Sequence, residues 1–504
     1  MSRVETINVP VEGDHGREGP LAWGQRSILA TVRWLDPDDT YFNVPLTWPL
    51  PGRPGVRQVA DAIAALTARH ESLRTTLVQH EKPEGGEEWT QRVDRCGSLS
   101  VEIHDADGAA SVAELAESVA RALAAKPFRI TEEWPVRWAM IRDGDAVPMV
   151  ALALSHTAID NWSLQVMRDD LVAALTADAP EPTPPDRQPL DQAAYEQSDR
   201  GLARSKASLD YWERTLAQAP HSLFDYPAAE PEPKRYVRLG LDSPALAVAT
   251  QMVADACRMS TTTVLLTATA CVLSAFTGHD PVLLRLIVAN RHDPALRRTV
   301  APLAQDGLIL LPAREGTFHD AVKRNYLLAI NAYRHSHYEP EALTERIAQG
   351  RLSWGAVHDK SAFFNDVRLT DRWESLPAGA DAAELKSLQE RSRIFEVGAY
   401  DQVDCKFFLA VTDTPDTAVL HLLGDTAYLG RDDIAALLRG MESLLVASAL
   451  GEVPLCDLNP ALGIRAVTRP AGWVRTPRGW ADPGAIRRLV AEAAGTDEVE
   501  VRVE

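Results

Sequence analysis

The stretch 147–175, VPMVALALSHTAIDNWSLQVMRDDLVAAL, decides the fold. Its first eight residues are all apolar, too few for an ordinary helix and bounded upstream by the turn residues Asp143-Gly144-Asp145, so they read as a buried strand. The run stops at Ser155-His156. A short segment with one acid, Asp160, comes next, and then an amphipathic helix begins. A lone histidine is more often a packing residue than a catalyst, so the flanks have to say why a strand delivers an imidazole to its end.

Upstream, VRWAMIRDGDAVPMVALALS reads as a hairpin of two strands around that turn. VRQVADAIAALTARHESLRTTLVQH spaces Val59, Ile63, Leu66 and Leu73 like a helix face ahead of the β-leaning run 75–78, and SVAELAESVARALAAKPF is a second helix. A mixed α/β layer is therefore expected over 57–177. The stretch 176–191 carries five prolines without apolar period and reads as an extended linker. Beyond it, STTTVLLTATACVLSAFTG is a helix capped by Ser260 and stopped by Gly278, and DPVLLRLIVANR is a buried strand. TFHDAVKRNYLLAINAYRH and RDDIAALLRGMESLLVASAL are further helices, with strands at SAFFNDVRL and KFFLAVTD. The tail is expected to form a strand, a helix over DPGAIRRLVAEAA and a last strand at 499–503.

Composition narrows the function. A chain of 504 residues, 45% hydrophobic and 24% charged, buries a large core in more than one unit. A net charge of −19 with no basic stripe excludes nucleic acid and anionic membranes as partners. The polar N-terminus lacks a signal-like apolar run, so a cytoplasmic location is expected. The five cysteines are scattered without CxxC spacing and indicate neither a disulfide framework nor zinc. His335 and His337 have strand-type ligand spacing but lie where a helix runs into a turn, so no metal is expected there. No GxSxG, Walker loop, GxGxxG or HExxH is present.

SHTAIDNWS resembles the HHxxxDG motif of the condensation domains of nonribosomal peptide synthetases, within the chloramphenicol-acetyltransferase-like superfamily. Other stretches occur in the family's order. LAWGQRSI (21–28) and RHESLRTT (69–76) are similar to its first two motifs, and KPFRITEEWPVRWAMI to the stretch before the active strand. LDYWERTLAQAP, IVANRHDPALRRTVAPLAQDGLILLP, AYRHSHYEPEAL and FFNDVRL match later motifs, and the resemblance covers roughly 20–455.

The resemblance implies an α/β fold of two chloramphenicol-acetyltransferase-like lobes set in a V, with the active site in a tunnel at their junction. The expected divisions are an N-terminal lobe at 1–180, a linker and lobe junction at 181–205, a C-terminal lobe at 206–460 and an appendage of unknown role at 461–504. His156 takes the place of the catalytic histidine, where imidazole removes a proton from an attacking amine. Asp160 shapes the loop by pairing with an arginine: Arg74 is the expected partner, with Arg26 and Arg291 as alternatives. Ser155 stands for the motif's first histidine. Asn161 stands for its glycine, and asparagine tolerates the left-handed conformation a glycine there permits. Ala301, Leu303 and Gln305 also depart from the family pattern. Trp162, Asn290, Arg291, Gln305 and Asn365 are the expected substrate-channel residues.

The activity implied by the resemblance is that of a free-standing monomeric acyltransferase, joining an acyl donor to an amine by an amide, or less readily an ester. No cofactor is bound; substrates arrive on phosphopantetheine, on a carrier protein or CoA. The alternative is an inactive condensation-like domain that recruits partner enzymes to a carrier protein.

Overall fold

The computed structural model describes residues 4–34, 38–81, 86–106, 111–176, 183–354, 357–368, 373, 376, 379–414, 416–456, 458–496 and 498–502. By internal contacts the chain forms two compact units that are discontinuous in sequence. One comprises Met1–Lys206, Ala289–Gln305 and His337–Pro340; the other comprises Ala207–Val288, Asp306–Ser336 and Glu341–Glu504.

The first unit is built on a five-stranded sheet in the order Val4–Glu12, Cys96–Asp105, Val136–Asp143, Ala146–Ser155, Asn43–Pro49. The expected hairpin is present: Asp143 pairs with Ala146 around Gly144, whose φ of 61° only a glycine adopts cheaply. Alternation along its strands builds two cores. Trp138, Met140, Val150, Leu152 and Leu154 face the helices Val56–Arg69 and Asn161–Leu175. Ala139, Ile141, Ala151 and Ala153 face the helix Val112–Ala124, and the three alanines let it lie close to the sheet. Leu73, expected on the Val56–Arg69 helix, falls just beyond it in a 3-10 turn, Glu71–Arg74.

The strand Asn43–Pro49 carries two prolines, which cannot donate to a ladder, and it lies at the sheet edge where that loss is tolerated. Of the proline-rich stretch 176–191, residues 177–182 lie outside the described residues. Its end is not extended: Pro189 starts a helix, Pro189–Glu196, because a first-turn residue needs no N–H donor.

The second unit holds a seven-stranded sheet, in the order Gln305–Leu311, Val282–Val288, Ala362–Asp366, Phe407–Asp413, Ala418–Asp425, Tyr236–Ser243, Arg393–Tyr400. Thr261–Thr277 is the expected core helix, with Ser260 accepting from the Thr263 amide and Gly278 left-handed at its end. The tail gives a small hairpin, Val474–Thr476 with Gly479–Ala481, and the helix Pro483–Ala494. The expected final strand is not formed over 498–502, where no neighbour pairs with the chain, and Val503 lies outside the described residues.

Ala151 tests this packing. Ala151→Leu forces extra methyl groups under the helix Val112–Ala124 and is expected to destabilise the protein by ~1–3 kcal/mol, read as a lower urea midpoint. An unchanged midpoint would contradict the close approach of that helix.

Candidate active site

The strand Ala146–Ser155 ends where its neighbours end. The Ser155 amide donates to the Pro135 carbonyl at 3.0 Å, and the His156 amide to the Phe42 carbonyl at 3.0 Å. A turn succeeds it, closed by the Ala158 amide on the Ser155 carbonyl at 3.1 Å. The Ser155 hydroxyl lies 2.8 Å from the Thr157 hydroxyl and accepts from the Thr157 amide at 3.4 Å, so serine supplies the local bonding expected of it. Ala158 and Ile159 are buried in the core, and the Ser72 hydroxyl donates to the Ala158 carbonyl at 2.6 Å. His156 is thus pinned on both sides.

The His156 ring meets the edge of Phe42, with centroids 5.8 Å apart. Its Nδ1 is buried without a hydrogen-bond partner. Burial pushes its pKa below the ordinary 6.5; the carbonyls of His156 and Ile159 and the Asp160 charge oppose the shift without cancelling it.

Asp160 caps the helix Asn161–Leu175, accepting from the Ser163 amide at 2.9 Å and the Ser163 hydroxyl at 2.7 Å. Its partner is Arg291, whose Nη2 lies 2.8 and 2.9 Å from the two carboxylate oxygens; both side chains are 3% exposed. The Leu303 amide adds a fifth bond at 3.0 Å. Arg291 also donates to the carbonyls of Leu296 and Ala301, each at 3.1 Å, and the Ala301 amide donates to the Ser163 hydroxyl at 3.1 Å. The stretch 289–305 is therefore fastened to the motif by the Arg291 side chain and by the main-chain amides of Ala301 and Leu303. The departures at Ala301 and Leu303 leave those atoms in place.

Arg74, the expected partner of Asp160, is engaged elsewhere. Its buried guanidinium donates to the carbonyls of His15, at 2.9 Å, and Asp94, and an added Cβ on Gly13 would meet its Cζ at 2.5 Å. Arg26 pairs with Glu339 at 3.1 Å. Asn161 is an exposed first helical residue and is not among the described non-glycine residues with positive φ, so the left-handed conformation is not used there. It is used at Asn290, with φ 56°, whose Nδ2 donates to the Leu303 carbonyl at 3.1 Å.

The other expected channel residues make these contacts. Arg291 is buried on Asp160. The buried Gln305 amide donates to the Tyr338 carbonyl at 2.9 Å and the Ser27 hydroxyl at 3.2 Å. Trp162 donates to the Arg297 carbonyl at 2.8 Å. Asn365 belongs to the second unit, opposite Ala410 in its sheet.

Sequence reasoning missed three anchors. Ser163 sits at the third helical position after a capping acid, a pattern that signals a capping box. Asp170 joins His70, at 2.9 Å, to Arg298; burial holds the His70 imidazole below its usual pKa. Glu196 accepts from the Trp23 amide at 2.6 Å at the start of the helix Trp23–Trp34 and lies 2.8 Å from His337 Nε2. His335, the other half of that histidine pair, stacks on Tyr211.

Both the ion pair and the buried imidazoles can be tested. Arg291→Ala leaves the Asp160 carboxylate buried and unpaired and should destabilise the protein by ~3–5 kcal/mol in urea unfolding, with Asp160→Ala similar and the double variant far from additive. A combined loss equal to the sum would show that the two do not act together. With His70 and His156 both held neutral, the unfolded chain takes up protons that the native one does not. Stability is therefore full above pH 6.5 and should fall as pH drops below it; a flat urea midpoint from pH 6.5 to 5.5 would contradict their burial.

A sequence model of the condensation domain matches residues 18–376. The chain is 26% identical over 347 residues to the probable non-canonical nonribosomal peptide synthetase CymA of Salinispora arenicola, covering 65% of this chain and 4% of that one. It spans only a small part of such relatives. Among solved structures, SgcC5 from Streptomyces globisporus aligns with TM-score 0.64 and 17% identity over 86% of this chain and 98% of its own. The starter condensation domain of rhizomide synthetase RzmA gives TM-score 0.64 and 17% identity over 87% and 96%. With the motif, the fold and the matched residues in agreement, this chain belongs to the condensation-domain family.

Proposed function

We propose that this chain is an acyltransferase that joins a thioester-bound acyl group to an amine, with His156 as the base. The observation that carries the reading is an imidazole pinned at the end of the strand and held neutral by burial. The amine nitrogen attacks the thioester carbonyl, and His156 Nε2 takes the proton the nitrogen loses. The C–S bond breaks as the carbonyl reforms, and the proton passes to the departing sulfur, so an amide and a thiol are the products. Asp160 and Arg291 contribute by position, each buried against the other.

The donor is read as a phosphopantetheine thioester, on a carrier protein or CoA. RzmA was solved with C8-CoA and Leu-SNAC, two thioesters, which supports that class. An ester product is the second reading, favoured by SgcC5 having been solved with a naphthyl-ethanediol.

The test incubates the protein with acyl-carrier, acyl-CoA and acyl-N-acetylcysteamine donors against amines and alcohols, with products tracked by mass spectrometry. His156→Ala should cut turnover ~10²- to 10⁴-fold while remaining folded. An active His156→Ala variant would remove the base from the mechanism. Carrier binding without donor consumption would favour the recruiting role instead.

A further inference from the structure

Four buried polar side chains of the first unit, Gln25, Ser72, Thr75 and Thr157, line one cavity together with apolar groups such as Leu77 and Ile130. Thr157 and Ala158, the two residues after His156, form one wall of it. Ser72 lies in the 3-10 turn Glu71–Arg74, Thr75 opens the strand Thr75–Glu81, and Gln25 belongs to the helix Trp23–Trp34. The centre of a water-sized sphere can range over about 10 Å³ inside the cavity, about the room one water takes.

The bonds already made around the cavity define what an occupant has to offer. The Ser72 hydroxyl donates to the Ala158 carbonyl at 2.6 Å, and the Thr75 hydroxyl donates to the Glu71 carbonyl at 2.6 Å. A hydroxyl has one proton and two lone pairs, so towards the cavity both can only accept. Gln25 has the opposite need. Its Oε1 accepts from the Ala22 amide at 2.8 Å and its Nε2 donates to Gln91 Oε1 at 3.0 Å, which leaves it one amide hydrogen; Gln91 Nε2 in turn donates to the Pro20 carbonyl at 2.9 Å. The Ser155 hydroxyl, which accepts from the Thr157 amide at 3.4 Å, lies 2.8 Å from the Thr157 hydroxyl. With Ser155 donating across that contact, the Thr157 proton is left for the cavity. An occupant that donates to Ser72 and Thr75 and accepts from Thr157 and Gln25 completes the set. A metal cation accepts no hydrogen bond and a halide donates none, whereas water does both.

We infer that this cavity holds one ordered water, which accepts from Thr157 and Gln25, donates to Ser72 and Thr75, and makes Thr157 and Thr75 positioning residues for His156. The water ties the turn that bears the base to the 3-10 turn and to the start of the strand Thr75–Glu81, alongside the direct bond from Ser72. The positioning role rests on the reading of His156 as the base; the water site does not.

The test has two arms. An atomic-resolution crystal structure of the wild-type protein should show one water within hydrogen-bond distance of the Ser72, Thr75 and Thr157 hydroxyl oxygens. No density there, or a peak with the short, crowded oxygen contacts of a cation, would overturn the site. The second arm compares Thr75→Val and Thr157→Val with Thr75→Ser and Thr157→Ser, through the NMR signals of the His156 ring and through kcat and KM with acyl-N-acetylcysteamine and an amine, well below the melting temperature. Each valine variant should shift the ring signals and lower kcat about tenfold with both KM values unchanged, and each serine variant should recover both readouts. Alanine at the same positions replaces a valine variant that does not fold. Lowered stability with ring signals and kcat unchanged would make the hydroxyls merely structural and overturn the positioning role. If the wild type consumes no donor, the acyltransferase reading falls, while the crystal structure and the ring signals still decide the water and its hold on the turn.

Discussion

The ion pair of Asp160 with Arg291 is the constraint on which the site depends. Taking a carboxylate and a guanidinium out of water carries a penalty of several kcal/mol per ion, recovered only when geometry is good and the remaining lone pairs are filled. Asp160 accepts five hydrogen bonds from Arg291, Ser163 and Leu303, and it caps a helix whose N-terminus favours a negative charge. One carboxylate thereby fixes the start of the helix Asn161–Leu175, the end of the turn bearing His156 and the course of 289–305. Asp170 repeats the device further along the same helix, fastening it to His70 and Arg298.

The chemistry arises from what that framework leaves unbonded. The polar groups of the turn are satisfied locally, from the Ser155 hydroxyl to the Ala158 carbonyl, while the His156 ring has no hydrogen-bond partner at its buried nitrogen. A negative charge four residues away favours the imidazolium, but desolvation outweighs it. Arg291 acts on the base without touching it: by pairing with Asp160 it holds the loop.

Much of this was legible in the sequence and some was not, for definite reasons. The hairpin over 136–155, the capped helix Thr261–Thr277 and the position of His156 are dictated by period, turn residues and caps, all local signals. The strand Asn43–Pro49 was hidden because its two prolines argue against a strand until an edge position is known. The acid of the motif was identified, but its partner lies 131 residues away and Arg74 was nearer in sequence. The Leu303 and Ala301 contacts use the backbone, to which side-chain identity is blind. Asn161 shows the opposite error: a glycine's freedom was carried to a position that does not use it, while Asn290 does.

The central claim is that this framework presents a neutral imidazole, and the most direct measurement is an NMR titration of the His156 ring in the wild-type protein. The account predicts a midpoint below 6.5, with the ring uncharged at neutral pH. A midpoint at or above 6.5 would contradict it, since desolvation would then not govern the ring.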